Sequence, residues 1–179
     1  MIYLIQVLEE NWKYIRNEAF SQMNKKTGAF LTDSATPTET GDWKDFNLFS
    51  SGRKIEKSCE KAPYTCYLLE QIPAASSCQR CQIKFSILNP GARISPRCGP
   101  TNSRLRANLG LRVPQVGPSI RVGSEERFWK DGVVLVFDES YEHEIWHNGT
   151  EFRLVLIVDL WHPDLTDFQK AQLSPMGGF

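Results

Sequence analysis

The stretch FRLVLIVD, residues 152–159, decides the fold class, because it predicts a strand that is apolar on both faces. One face consists entirely of apolar side chains, those of Phe152, Leu154, Leu156 and Val158. The other face combines Val155 and Ile157 with Arg153. Successive side chains of a strand point to opposite faces, so this segment fits a strand covered on both sides, with Arg153 directed into a buried layer.

Arg153 is expected to meet an anion, because a buried guanidinium is costly without one. Its planar fork suits bidentate pairing with a carboxylate. That carboxylate could belong to the protein, for example to Asp138, or to a ligand. The strand by itself leaves both alternatives open.

Four shorter segments before this strand have a similar character and are separated by Pro and Gly breaks. They predict strands at residues 83–87, 105–111, 120–122 and 133–137. Strands at this spacing indicate a sandwich or a barrel. At the second segment, Arg104 and Arg106 share the face opposite Leu105 and Ala107. Two arginines so placed form either a local carboxylate or phosphate receptor or an ordinary solvated face.

The first 80 residues differ in character from the β core predicted for residues 81–165. Residues 3–25 predict an amphipathic helix, because apolar side chains recur at helical spacing and Gly28 follows as a stop signal. Residues 32–75, rich in Ser, Thr, Gly, Lys and Pro, predict loops anchored by single aromatic side chains. A short helix is predicted near residues 166–172. Residues 1–179 together fit one domain.

The charge balance excludes a global electrostatic attraction to nucleic acid or to acidic membranes. Lys and Arg together number 21, as do Asp and Glu, so the formal net charge is zero. The first apolar run, MIYLIQVLEE, is too short for a signal peptide or a membrane span. We therefore expect no nucleic-acid partner and no membrane segment within these residues.

Histidine is scarce, and its placement limits metal chemistry. All three histidines, His143, His147 and His162, fall near the C-terminus, which excludes a site of three or four histidines drawn from across the fold. His143 follows the apolar strand at residues 133–137, and a neutral imidazole at a strand end can bind a metal. His147 and His162 are predicted to be surface or turn residues.

The five cysteines favour disulfides or plain thiols over zinc, because they include no pair of CxxC motifs. Cys78 and Cys81 form a lone CxxC without the helix start that lowers the pKa of a redox cysteine, which argues against a thioredoxin-like role. Cys59 and Cys66 enclose a short segment that a disulfide could close, or they are two buried thiols. An odd count leaves at least one cysteine outside any intramolecular pair.

Several separated strings resemble the catalytic domain of the aspartyl/asparaginyl β-hydroxylase family. They include IKFSILNPG (83–91), GPTNSRLRANLGL (99–111), FDESYEHEIW (137–146) and FRLVLIVDLWHPDL (152–165). The resemblance implies a double-stranded β-helix with a jelly-roll or cupin-like core and an N-terminal amphipathic helix. It also implies Fe(II), 2-oxoglutarate and O₂, and hydroxylation of the β-carbon of Asp or Asn. The implied partners are epidermal-growth-factor-like domains, and the implied compartment is the endoplasmic reticulum lumen.

The resemblance assigns roles to the residues around the metal and the cosubstrate. His143 matches an iron ligand, while Ser86 and Arg153 match residues that hold 2-oxoglutarate. Gly99 stands where related oxygenases have a third, carboxylate ligand, so the iron of this family rests on two histidines.

On the substrate side, Arg104 and Arg106 match an arginine pair beside the substrate, and Lys84 lies on the neighbouring strand. The pair Cys59 and Cys66 matches a family disulfide.

The sequence departs from the family pattern at two positions. The family has Pro-His-x-Gly where this chain has Pro96-Arg97-Cys98-Gly99, so Arg97 takes the place of the first iron ligand. An arginine has no lone pair to offer a metal. Asn108 takes the place of a histidine that helps to hold 2-oxoglutarate, and an amide can donate a hydrogen bond but carries no charge.

Three interpretations follow from these departures. The chain is a hydroxylase that uses another ligand such as Cys98, or a catalytically impaired relative that keeps a peptide-binding face. The third is a β-sandwich binding module in which Arg153 pairs with an internal carboxylate such as Asp138.

Overall fold

The computed structural model describes residues 1–24, 29–30, 34–36 and 43–176. The helices are α1 (Ile2–Ser21), α2 (Glu56–Cys59), α3 (Pro63–Glu70), α4 (Pro73–Ser76) and α5 (Asp167–Gln172). The strands of the first half are β1 (Met23–Asn24), β2 (Ala29–Phe30), β3 (Ser34–Thr36), β4 (Trp43–Ser50), β5 (Arg53–Lys54) and β6 (Gln82–Leu88). Those of the second half are β7 (Arg93–Arg97), β8 (Arg104–Arg112), β9 (Pro118–Val122), β10 (Glu125–Phe128), β11 (Val134–Phe137), β12 (His143–His147) and β13 (Arg153–Trp161).

The larger sheet has the strand order β11-β8-β13-β6-β4-β3, and β5 pairs with β4. All of these pairs are antiparallel. β13 lies between β8 and β6, and every one of its residues is buried. The prediction that FRLVLIVD is a strand covered on both sides is therefore confirmed.

The outer face of the larger sheet packs against α1. Leu4, Leu8, Ile15 and Ala19 of the helix are buried in one core with the alternate apolar side chains of β6, β8 and β13. This confirms the predicted amphipathic helix and its core face. The helix ends at Ser21 rather than at residue 25, and the predicted stop signal at Gly28 lies outside the described residues.

The prediction of loops over residues 32–75 is wrong for β4 and for the helices α2 to α4. β4 pairs with β6 because its aromatic side chains, including Phe46 and Phe49, fill the same core as α1. The helix α3 begins with Pro63, whose fixed backbone angle suits a first helical position. The polar composition of residues 32–75 was thus misleading, because this segment includes β4, an inner strand of the larger sheet. The short helix predicted near residues 166–172 is confirmed as α5.

The smaller sheet has the strand order β10-β9-β12-β7, again with antiparallel pairs. A second core fills the space between the two sheets and contains Trp43, Val155 and Ile157 from the larger sheet and Ile94, Ile120 and Ile145 from the smaller one. Two sheets packed in this way form a double-stranded β-helix, the jelly-roll fold that the resemblance implies. The inner face of the larger sheet therefore lines the barrel.

Two disulfides join parts of the chain outside this barrel space. Cys59 is bonded to Cys66, as the resemblance implies. Cys78 is bonded to Cys81, a pairing that the sequence did not predict, and both of these cysteines are buried. Cys98 is free and exposed.

No helix in the described part of the chain is both long and apolar enough to cross a membrane.

Candidate functional site

A layer of polar side chains covers the inner face of the larger sheet. Strand alternation produces it, because the neighbouring apolar residues of each strand face α1. We call this set the inner polar layer; it consists of Asp45, Lys84, Ser86, Arg104, Arg106, Asn108, Arg153 and Asp159. All except Arg106 are buried, and the side chain of Arg106 is only 12% exposed. The layer contains every cosubstrate and substrate residue that the resemblance implied.

The arginine pair of β8 is neutralised by two buried carboxylates, those of Glu139 and Asp159. Arg104 Nε donates to Glu139 Oε1 at 2.7 Å, and Arg106 Nη1 lies 2.6 Å from Glu139 Oε2. Arg106 also donates through Nε and Nη2 to the two oxygens of Asp159, at 2.7 and 3.0 Å. The pair is therefore neither a solvated face nor an unpaired anion receptor.

These ion pairs shift the pKa values of both partners. Burial opposes the charge on Arg106, but Asp159 and Glu139 outweigh it and raise the pKa of Arg106. Burial likewise opposes the charge on Asp159, but Arg106 and then Arg104 lower the pKa of Asp159. Arg106 and Asp159 therefore remain a charged pair on the inner face of the larger sheet.

Lys84 and Ser86 of β6 are held by side chains of β4. Lys84 Nζ lies 2.7 Å from Asp45 Oδ2, and Ser86 Oγ accepts a hydrogen bond of 2.5 Å from Trp43 Nε1. The Trp43 ring also lies under the Lys84 ammonium, 5.8 Å from Nζ to the ring centroid. β4, which the sequence assigned to loops, thus orients two of the predicted site residues.

Arg153 is the exception in this layer, because no carboxylate of the described residues lies within ion-pairing distance of it. Its residue is 1% exposed, and its Nε and Nη1 atoms make no hydrogen bond. The guanidinium lies 4.3 Å from the ring centroid of Trp129. Burial outweighs the attraction of Asp45 and lowers the pKa of Arg153 to about 9. Asp138, the suggested internal partner, instead accepts from the Ser140 amide at 2.9 Å.

Asn108 and Trp129 each also have a buried polar atom without a hydrogen-bond partner among the described residues. These atoms are Oδ1 of Asn108 and Nε1 of Trp129. Buried polar atoms without partners are rare in native proteins and call for a ligand or water. Orphaned groups on Arg153, Asn108 and Trp129 therefore mark a polar pocket inside the barrel.

His143 lies at the mouth of the barrel and is 4% exposed. Its Nδ1 atom is 3.0 Å from the carbonyl oxygen of Tyr141, so a proton on Nδ1 leaves the lone pair of Nε2 available. Burial lowers the pKa of His143, more strongly than the Tyr141 hydrogen bond raises it. The imidazole is therefore neutral at physiological pH, the form that a metal ligand requires.

Arg97 faces His143 across the antiparallel pair of β7 and β12, as its register partner. It is exposed, and its guanidinium lies 5.6 Å from the ring centroid of Trp43. Partial burial and then the charge of Arg106 lower the pKa of Arg97. The structure therefore brings a cation to the strand position opposite the one histidine expected to bind iron.

These residues do not fit an iron ion. The carboxylate of Glu139 is occupied by the two β8 arginines, Gly99 has no side chain, and Cys98 is exposed. A Cβ atom added at Gly99 would lie 2.7 Å from Glu139 Cγ and 2.8 Å from Glu139 O, so that place is filled. Within the described ranges, no group of three or more His, Cys, Asp or Glu side chains is arranged to hold a metal.

The other two histidines lie away from this place. His147 is completely buried, so its prediction as a surface or turn residue is wrong; its Nε2 atom donates to the carbonyl oxygen of Glu151 at 2.6 Å. That bond closes the connection between β12 and β13 and accounts for the burial. His162 is partly exposed in the turn after β13, as predicted.

The sequence reasoning missed the acidic partners and the aromatic supports of this site. Asp159 has the same strand parity as Arg153 in FRLVLIVD, which was a signal that it too faces the barrel. Glu139 and the tryptophans Trp43 and Trp129 follow no such pattern in the chain. Their roles emerge only from the pairing of distant strands.

The two antiparallel sheets and the core between them place the protein in the double-stranded β-helix class. A solved structure that shares this fold is a prolyl-4-hydroxylase from Pseudomonas putida, with a TM-score of 0.54 and 14% identity over 84% of this chain and 87% of that chain. At this identity the likeness concerns the fold alone.

Sequence comparison assigns the family. The family model described as aspartyl/asparaginyl beta-hydroxylase matches residues 9–163. The chain is 48% identical to the human aspartyl/asparaginyl beta-hydroxylase over 95% of its length, and 32% identical to the human aspartate beta-hydroxylase domain-containing protein 2 over the same share. It spans 22% of the first relative and 47% of the second. The chain belongs to the aspartyl/asparaginyl β-hydroxylase family.

Proposed function

We propose that this chain is an impaired β-hydroxylase domain, which binds 2-oxoglutarate and an Asp- or Asn-containing peptide but hydroxylates the peptide poorly. The observation that carries the proposal is the register of Arg97 opposite His143. With one neutral imidazole and a guanidinium at the two ligand places, Fe(II) loses a donor and meets a positive charge. Loss of a direct ligand should lower metal affinity by at least the roughly 10- to 100-fold that follows loss of an outer partner.

The pocket for the cosubstrate supports retention of binding. Arg153 has two buried nitrogen atoms without partners, Nε and Nη1, and a carboxylate of 2-oxoglutarate on one edge of the guanidinium would satisfy one of them. Ser86 lies two residues along β6 from Leu88, the register partner of Arg153. Asn108 supplies an amide in place of the family histidine: its Nδ2 atom would donate to a ligand carboxylate, whereas its orphaned Oδ1 atom requires a donor.

The basic residues of the inner polar layer bear on peptide binding. Arg104, Arg106 and Lys84 are already paired with internal carboxylates, and Arg106 keeps the largest exposed fraction of the three, 12% of its side chain. Family membership suggests an epidermal-growth-factor-like domain as the partner, and an acidic side chain of that domain would meet Arg106. The disulfides at Cys59 and Cys78 suit the oxidising lumen of the endoplasmic reticulum, where such domains fold.

The test is turnover of the chain beside its Arg97→His variant. Both proteins receive Fe(II), 2-oxoglutarate, O₂ and an Asp-containing growth-factor-like domain, and succinate and hydroxylated peptide are quantified. We expect the variant to exceed the natural chain by 10-fold or more. Equal and robust activity in the two proteins would overturn the proposal, and so would activity confined to the natural chain.

A further inference from the structure

The inner polar layer and its mouth carry more positive than negative charge. Five cations lie there, namely Lys84, Arg97, Arg104, Arg106 and Arg153. Three carboxylates face them, namely Asp45, Glu139 and Asp159. Lys84, Arg104 and Arg106 lie in ion pairs with these carboxylates. The surplus of two positive charges therefore falls on Arg97 and Arg153, neither of which has an ion pair within the described ranges.

Each of the two surplus guanidinium groups lies over a tryptophan of the core between the sheets, Arg97 over Trp43 and Arg153 over Trp129. Arg153 shares its strand face with Val155 and Ile157, which pack in the core between the sheets. Arg97 reaches the same core through Trp43, whose indole bonds to Ser86 of the inner polar layer. Arg97 and Arg153 therefore border the same core, Arg97 from an exposed position and Arg153 from a buried one.

We propose that this pocket binds a short dicarboxylate, such as 2-oxoglutarate, without a metal, and that Arg97 supplies the positive charge at the mouth. The inference extends the proposed function, since it concerns the same pocket. A dianion would supply two negative charges, which balance the two surplus positive charges of Arg97 and Arg153. One carboxylate would pair with one edge of the Arg153 guanidinium, which carries an orphaned nitrogen atom, and the other would pair with the guanidinium of Arg97.

The test is calorimetric titration of 2-oxoglutarate into the chain in the presence of EDTA. We expect saturable binding that weakens 10-fold or more in Arg97→Gln, is largely kept in Arg97→Lys, and is unchanged in Arg93→Gln. Arg93 is a matched control, because it is an exposed arginine on the same strand, opposite Trp146 rather than His143. Glutarate and the monoanion 2-oxobutyrate test the ligand class, and only glutarate should compete.

Binding that needs added metal, or equal affinity in Arg97→Gln, would overturn this inference. Either result leaves the turnover comparison untouched, because that assay measures succinate rather than metal-free binding. Circular dichroism of each variant confirms folding, and the exposure of Arg97 makes these substitutions mild.

A separate feature lies on the turn between β12 and β13. Asn148-Gly149-Thr150 is the one Asn-x-Ser/Thr tripeptide in the sequence. Asn148 and Thr150 are exposed, and the side-chain amide of Asn148 makes no hydrogen bond with the described residues. The turn itself is fixed, because the Asn148 amide donates to Gly117 O at 3.2 Å. Asn148 follows His143 by five residues, about 16 Å along a strand, so a bulky group there leaves the barrel mouth open.

We infer that Asn148 is an acceptor for an N-linked glycan when the chain folds in the endoplasmic reticulum lumen. The donor is an oligosaccharide carried on a lipid diphosphate. The transfer forms a bond between Asn148 Nδ2 and C1 of the first sugar and breaks the bond between C1 and the diphosphate oxygen. The amide proton is lost, and the lipid diphosphate leaves.

The test uses the full chain behind a cleavable secretion signal in mammalian cells, followed by peptide N-glycosidase digestion. We expect one mobility shift that is lost in Asn148→Gln and in Thr150→Ala and kept in Thr150→Ser. A chain insensitive to the glycosidase, or a shift that persists in Asn148→Gln, would overturn the assignment. The added signal separates this result from the natural compartment of the protein.

Discussion

Arg97 and His143 are register partners on adjacent antiparallel strands, and this pairing governs the chemistry of the barrel mouth. The histidine is neutral and offers a lone pair, whereas the arginine offers only donors. Around them, the carboxylate of Glu139 is already committed to arginines. At the place where the resemblance implies a metal, this chain therefore presents a cation.

Arg97→His should create a divalent-metal site. The second imidazole would face His143, so we expect Mn(II) affinity, measured by titration or electron paramagnetic resonance, to rise by about 10- to 100-fold or more. Arg97→Gln is the control, because it removes the positive charge without adding a ligand. Similar gains in both variants would mean that repulsion by the guanidinium, and not the missing ligand, keeps metal away.

Arg153→Met should stabilise the ligand-free chain while abolishing 2-oxoglutarate binding. A buried guanidinium without a hydrogen-bonded anion is destabilising, and apolar replacement of buried charge gains about 1–4 kcal/mol. For a domain of this size, that corresponds to a rise in Tm of roughly 2–4 °C per kcal/mol. In thermal scans, 2-oxoglutarate should raise the Tm of the natural chain only. A variant that is less stable than the natural chain would show that Arg153 is already satisfied.

The lowered pKa of Arg153 predicts that the stability of the chain depends on pH. Its pKa is lowered to about 9 in the folded chain from 12.5, so the unfolded chain binds more protons between these values. The buried charge of Arg153 lowers the unfolding free energy by its full amount below pH 9, and this destabilisation decreases as the pH rises above 9. The difference in unfolding free energy between Arg153→Met and the natural chain should therefore shrink from pH 8 to pH 10. A constant difference across this range would contradict the lowered pKa.

Strand alternation and helical spacing predicted much of the fold. The elements that the sequence did not predict depend on pairing between residues that are distant in the chain. The residues of β13 predicted a buried inner strand, and the helical spacing around Leu8 and Ile15 predicted α1. β4 was missed because its pattern is interrupted by a register shift between Asn47 and Phe49, and its polar composition resembles a loop. His147 was misplaced for a similar reason, since its burial depends on a turn closed by Gly117 and Glu151.

The sequence identified the positively charged residues of the candidate site but not the carboxylates that pair with them. Arg104, Arg106 and Arg153 were identified from their positions in apolar strands. Glu139 lies in a loop beyond β11, where no periodicity marks it, and its contact with β8 spans 35 residues. A charge within an apolar pattern is visible in sequence, whereas the partner that neutralises it is supplied by tertiary structure.

Asp159→Asn should destabilise the chain strongly, because it leaves Arg106 without one of its two carboxylates in a buried layer. Breaking a buried ion pair by removing one partner costs about 3–5 kcal/mol in unfolding free energy. Denaturant titration measures it, and Glu142→Gln is the control, because the exposed pair of Glu142 with Arg121 should contribute about 1 kcal/mol or less.

Acid titration gives a second check on Asp159. Arg106 keeps the pKa of this buried carboxyl below 3.8, so the unfolded chain takes up the proton first on acidification. The stability that Asp159 contributes is present above pH 4 and is lost as the pH falls below it. Asp159→Asn should flatten this part of the stability curve. An unchanged acid slope would show that other carboxyls carry it.

Gly99→Asp should fail to supply a carboxylate ligand, even in combination with Arg97→His. A Cβ atom at this position would lie 2.7 Å from Glu139 Cγ and 2.8 Å from Glu139 O, closer than atoms in contact allow. Gly99 N also donates to Glu139 O at 2.6 Å, so neither residue can withdraw without breaking that bond. Displacing Glu139 would in turn uncouple Arg104 and Arg106.

We therefore expect Arg97→His/Gly99→Asp to bind Mn(II) no more tightly than Arg97→His alone and to unfold at lower denaturant concentration. Gly91→Asp is the matched control, because a Cβ atom at Gly91 meets nothing within 4 Å, although its positive backbone angle adds modest strain. Tighter metal binding by the double variant at unchanged stability would show that the loop after β7 can move away from Glu139. The glycine would then reflect the ligand chemistry of the family and not the packing of this barrel.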